Sequence, residues 1–231
     1  MIRALLLTLA LLLPAAASAA DRTFGVGSFE RLRVRGAFQV RVAAGPPRAT
    51  VSGDRRTIEQ VEVRADGGTL VVQMGANGWG EQPNATAGPV TVTLSTPALV
   101  SALVIGDSDV TIARMKGQRV DVSASGGGTI TLGAIAADQL RLTVLGTATV
   151  TATGHATKAS LLTNGPGTIK AGALATDDLS VRVEGNGTTE AQARFTAQVV
   201  NTGLGRVTIL GNAKCSIKAA VEGRVTCGPK L

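Results

Sequence analysis

Aromatic rings are nearly missing from this 231-residue chain, which has four Phe, one Trp and no Tyr. A core built without them must be thin and filled by Val, Leu, Ile and Ala. Histidine occurs once and cysteine twice, which removes most metal centres and most nucleophile–histidine constellations. Charge is sparse at 17% while 44% of residues are apolar, a balance foreign to disordered chains. The formal charge is +7, but the 23 Lys and Arg are scattered in ones and twos. Without stacking aromatics beside them, they argue against a nucleic-acid reader. A basic exported protein instead meets anionic envelope polymers or lipid headgroups.

Export is read from the first residues, MIRALLLTLALLLPAAASAA. Arg3, the apolar run Ala4 to Leu13, Pro14 and then small residues have the layout of a secretory signal. Ala17-Ser18-Ala19 is the expected recognition triplet, so residues 1–19 are assigned as the signal and 20–231 as one domain. The run is too short to span a bilayer, which takes about 20 apolar residues, and no later segment approaches that length. No Cys follows the cleavage site, which disfavours a lipid anchor, and the expected location is the bacterial periplasm or cell surface. In an oxidising compartment the isolated pair Cys215 and Cys227 is most simply a structural disulfide.

Glycines set the frame of the rest. Gly106, Gly126, Gly146, Gly165, Gly185, Gly203 and Gly223 open turns at steps of 20, 20, 19, 20, 18 and 20 residues. Six residues before them lie Val100, Val120, Leu140, Ala159, Leu179, Ala197 and Ile217; four before lie Ala102, Val122, Leu142, Leu161, Val181, Val199 and Ala219. Positions four and six after the glycine are also apolar, Thr189 being the exception. Alternation of period two on both sides of each turn means two short strands per repeat with one face inward. Repeats this short leave no room for helical crossovers, so coils must stack directly, about 4.8 Å apart. The expected fold is all-β: a single-stranded, right-handed parallel β-helix with coils of about twenty residues, seven coils rising roughly 30 Å.

Residues 24–97 show the same alternation less regularly, with Arg55–Arg64 offering at most a short helical turn. Between Gln73 and Pro89 lies a Gly/Asn/Pro-rich insertion that carries Trp79, read as a surface loop within 73–89. Irregular coils over 24–97 and regular coils over 98–231 are expected to share one body, since no useful linker separates them.

Several short motifs resemble one family. They are the opening Phe29-Glu30-Arg31-Leu32-Arg33-Val34, the DGGTLVV segment from Asp66 to Val72, Pro97-Ala98-Leu99, and the turns IGDSDV, SGGGTI, NGPGTI and EGNGTT. Together they are similar to the bacterial head GIN domain, an auto-transporter-adhesin-like family. The resemblance implies a right-handed β-helix of the cell envelope with no established biochemistry. Where that family often places acids in its turns, this chain has Thr129, Thr149 and Thr168. A cation-related role for those acids therefore does not carry over.

Outward positions three and five after each glycine are rich in threonine, a ladder that a flat β-face favours. Asp109, Lys170, Glu190 and Arg206 interrupt it, which counts against an ice-binding face. The acid pairs Asp107/Asp109 and Asp177/Asp178 sit beside turns, where Asp bonds the local backbone. No column accumulates acids, and His155 has no readable partner, so no catalytic, metal or cofactor residue is assigned. Trp79 could stack on a sugar or cap an edge of the helix, and it is the one ligand-binding candidate read from the sequence. The expected function is a non-enzymatic, adhesin-like or scaffold surface for glycans, anionic envelope polymers or proteins. The alternative is a polysaccharide-active lyase or glycosidase.

Overall fold

The computed structural model describes residues 20–75 and 89–228. The assigned signal, residues 1–19, lies outside them, as do Trp79 and most of the 73–89 insertion. Strand β6 (Thr69–Met74) runs into the start of that insertion. The chain forms a β-solenoid of about six turns, fewer than the seven coils expected from the glycine steps.

Four long bent strands make the regular part: β9 (Asp109–Gly126), β10 (Thr129–Gly146), β11 (Thr149–Asn164) and β12 (Thr168–Glu184). They pair in parallel and in register, so that Thr129 stacks on Thr149, then Thr168 and Thr188. The sequence showed two strands per coil, but the pairing has three stretches. Between β9 and β10 it covers Ile130–Leu132, Ala134–Ala137 and Gln139–Gly146, skipping Gly133 and Asp138. The middle stretch carries its own buried side chains, Met115, Ile135 and Leu174. Residues such as Gly154 and Thr176 break its apolar alternation and hide it from a periodicity count.

One apolar cluster runs the length of the molecule, from Phe29 to Ile209. Leu142, Leu161 and Val181 are buried within it, in one column with Val122 and Val199. Among the described residues Phe29 and Phe38 are its only buried rings, so the core is aliphatic as composition required. Thr189, the exception in the apolar pattern, is fully buried, and its hydroxyl lies 3.0 Å from that of buried Thr163. A polar pair that satisfies itself costs little, whereas a lone buried hydroxyl would be expensive. Gly106, Gly126, Gly146, Gly165 and Gly185 all have positive φ and lie over one another at a single corner.

The early strands do not stack in chain order. β2 (Arg31–Arg35) lies between β6 and β8 (Ser101–Ile105), and β3 (Gln39–Ala44) lies between β7 (Thr91–Thr96) and β9. The first coil is thus clamped between two coils built from later sequence. Buried Ser108 ties it to the later side: its hydroxyl donates to the Gly36 carbonyl at 2.8 Å and accepts from the Phe38 amide at 3.1 Å. The outer layer at this end is antiparallel. β1 (Ala20–Phe24) pairs with β4 (Arg48–Gly53), β4 with β7, and β5 (Val61–Asp66) with β6 through the Gly67-Gly68 turn. The expected helical turn is α1 (Arg55–Glu59), started by Asp54, whose carboxylate accepts from the amides of Arg56 and Thr57. It buries Ile58 against the end of the stack.

The far end departs from the glycine frame. β13 (Thr188–Gln192), β14 (Thr196–Asn201), β15 (Arg206–Leu210), β16 (Lys214–Ala219) and β17 (Val225–Gly228) close the solenoid. Ile217 pairs with Val199 and Ala219 with Asn201, two places off the columns that Gly223 implied. An offset of two preserves which face each residue takes, so the alternation could not reveal the slip. Gly223 itself has open space around it.

Cys215 and Cys227 are bridged. Cys215 stacks on Ala197 and Cys227 on Ile209, both inward columns, so the bridge joins two sides of the last coil against the core. Closing a loop of this size stabilises by about 3 kcal/mol in the chain-entropy picture. We expect Cys227→Ser to lower stability by roughly 2–3 kcal/mol. Amide exchange should accelerate in β16 and β17 while β9 to β12 keep their protection; equal loss throughout the solenoid would contradict a local clasp.

Candidate functional site

Five consecutive rungs bring distant sequence together. The 18- to 20-residue step places Arg119, Gln139, Lys158, Asp178 and Thr196 in one outward column. Asp121, Arg141, Ser160, Ser180 and Gln198 form a second column beside it. Together with the inward-facing Leu140, Ala159 and Leu179 between them, these side chains line an open groove of about 550 Å³. At about 4.8 Å per rung, four steps from β9 to β14 give it a length of about 19 Å along the solenoid axis.

Its electrostatics are partly self-compensated. The Asp121 carboxylate faces the Arg141 guanidinium at 4.0 Å. Thr196 donates its hydroxyl proton to Asp178 at 2.6 Å, and Arg119 donates to the Gln139 side-chain carbonyl at 3.1 Å. Lys158, Ser160, Ser180 and Gln198 make no side-chain hydrogen bond or ion pair among the described residues. The groove therefore offers an unpaired ammonium, a guanidinium with donors to spare, two hydroxyls and an amide.

Catalysis of glycoside cleavage asks more than this. Asp121 and Asp178 stand three rungs apart, about 14 Å at about 4.8 Å per rung, beyond the roughly 5–9.5 Å between a catalytic carboxylate pair. Asp107 and Asp109 lie at the corner, where Asp107 accepts from the Gly127 amide at 2.8 Å and Asp109 from the Thr129 amide at 3.1 Å. Asp177 contributes its main-chain carbonyl, which accepts from the Phe195 amide. His155 is exposed in a separate shallow concavity beside Lys116 and Asp138. No group of three or more metal-ligating side chains occurs among the described residues. No described helix is long and apolar enough to cross a membrane.

The structure therefore gathers none of the acid pairs read from the sequence into one cleft. It gathers instead ten polar side chains, of which the sequence reading singles out Asp178 alone, as part of an acid pair beside a turn. Their signal was present at positions seven and five before each glycine, outside the apolar columns that set the frame.

A family model described as "Putative auto-transporter adhesin, head GIN domain" matches residues 28–213. The fold is similar to a "putative adhesin" from Bacteroides fragilis NCTC 9343, 18% identical, with a TM-score of 0.77 over 93% of this chain and 94% of that one. A second "putative adhesin", from Parabacteroides distasonis ATCC 8503, is 17% identical with a TM-score of 0.69 over 92% and 96%. A "putative lipid binding protein" from the same species is 16% identical with a TM-score of 0.67 over 91% and 94%. Identities this low carry the fold alone. No curated protein matches the sequence.

Proposed function

The chain belongs to the head GIN domain family of auto-transporter-adhesin-like proteins, and on that premise we propose that it is an exported, non-enzymatic β-solenoid that binds components of the cell envelope. The single observation that carries this reading is the rigid outward face of parallel rungs, which holds a polar groove while its carboxylates are paired or far apart. A surface built this way can grip a repeating partner, and among the described residues its carboxylates do not form the close pair that cutting a glycosidic bond takes. The layout of residues 1–19 supports export, and the basic chain suits anionic envelope polymers.

The direct test is a binding panel with purified protein against peptidoglycan, lipopolysaccharide, phospholipid vesicles and glycan arrays. Retention on at least one envelope component is expected; silence across the panel would reduce the protein to a scaffold. The enzymatic alternative predicts reducing ends or unsaturated products released from acidic polysaccharides, abolished by Asp107→Ala or Asp177→Ala. We expect no such products.

A further inference from the structure

Repetition along the groove says more about the ligand than the individual residues do. Each rung contributes one side chain to each of the two columns, so polar groups recur about every 4.8 Å along the axis. A small compact molecule would use one or two rungs and leave the others solvated. A polymer laid along the axis meets a pair of polar side chains at every step. Among the described residues the groove lining contains no aromatic ring, so these side chains do not recognise a ligand by stacking against sugar faces or bases. It must go through hydroxyls, amides and charge.

Cations and carboxylates are mixed along the groove, with Asp178 next to Lys158 on the following rung. Arg141 is occupied by Asp121, whereas Arg119 at one end and Lys158 at the middle rung face no carboxylate within ion-pairing distance among the described residues. Ser160 and Ser180 lie beside Lys158 on its own and the following rung, with Gln198 beyond them. That set offers cationic donors for carboxylates spaced along a strand and neutral donors and acceptors for the hydroxyls between. Extended peptides would prefer an unpaired strand edge, where main-chain groups are free, and this groove lies on a sheet face already paired on both sides.

We propose that the groove over β9 to β14 binds an extended, carboxylated polysaccharide lying along the solenoid axis, with Arg119 and Lys158 as its anionic contacts. This deepens the envelope-binding reading above and rests on it.

The test uses the full chain with fragments of polygalacturonate, alginate and hyaluronate, and with dextran as a neutral comparison, by calorimetry at low and high salt. At least one acidic polymer is expected to bind, dextran not to bind, and affinity to fall as salt rises. Arg119→Ala and Lys158→Ala should each weaken binding about tenfold, the scale of one charge-assisted contact. Both side chains are on the surface, so an unchanged thermal midpoint will show that the fold is kept. Lys170→Ala, on the threonine ladder away from the groove, should leave affinity unaltered. Failure of all three acidic polymers overturns the proposal. Binding indifferent to Arg119 and Lys158 also overturns it, while leaving the broader envelope-binding reading in place. If vesicles or peptidoglycan bind and these polymers do not, the broad reading stands and the groove's assigned ligand is wrong.

Discussion

Gly146→Val is expected to lower the thermal midpoint by roughly 6–20 °C, the counterpart of about 3–5 kcal/mol in a chain of this size. Gly146 has φ of +106°, a backbone state from which a β-branched residue is effectively barred. A side chain there would also have its Cβ 2.8 Å from the Gly126 carbonyl oxygen and 3.3 Å from the Gly126 nitrogen. Those are backbone atoms of the rung below, so no rotamer change relieves the contact. The rungs themselves would have to separate, which loosens ladder bonds on both neighbours. Gly27→Val is the control, because Gly27 has ordinary φ and nothing within 4 Å of a built Cβ. It should move the midpoint by no more than a degree or two, within the usual range for surface changes of about 0.5 kcal/mol. Equal effects at the two sites would show that the corner is not close-packed.

Leu142→Ala should cost about 3–4 kcal/mol, within the range for a fully buried leucine truncated to alanine. Leu142 is fully buried and sits in a column running Val122, Leu142, Leu161, Val181, Val199, Ile217. Removing its isobutyl group opens a void facing both adjacent rungs, and stacked β-ladders have little freedom to collapse around it. The same column supplies its own comparison. Ile217, at the end of the stack, is 45% exposed, so Ile217→Ala should cost less than about 1 kcal/mol. Denaturant unfolding of both variants would measure the ratio. A gradient from middle to end is the signature of a stack whose rungs lean on nearest neighbours. If Ile217→Ala proved as costly as Leu142→Ala, the last coil would have to be buried by something else.

The regular coils were legible because their physics is local and repeated. Every inward column obeys period two, and a glycine is needed wherever the corner turns with positive φ, so counting from the glycines located Leu142, Leu161 and Val181 correctly. The third side of each coil escaped because Gly154 takes the place that Ile135 holds in the preceding rung, and Thr176 the place that Ala156 holds. The slip at Ile217 escaped because a two-residue offset leaves alternation intact. The threading of β2 between β6 and β8 could not have been read at all, since all three strands share one pattern and nothing in a pattern records which partner a strand chooses. The candidate groove was harder again. Its side chains lie 18 to 20 residues apart and differ in type from rung to rung, so they form a set only after the register between coils is fixed. Cys215 and Cys227 could be paired from compartment and count, but their place on inward columns needed the fold.

The clamped position of β2 and β3 bears on how such a chain could be assembled as it leaves a ribosome or a translocation pore. These strands emerge early, yet one edge waits for Thr69–Gln73 and Thr91–Thr96, and the other for Ser101–Ile105 and Asp109–Ile112. Growth of the object cannot therefore start at its N-terminus and proceed in step with emergence. The first durable seed has to await roughly half the polypeptide, after which later segments can be laid down one upon another as they arrive. Shortening the chain from its C-terminus should peel the structure gradually, whereas trimming into Arg31–Ala44 would withdraw its keystone.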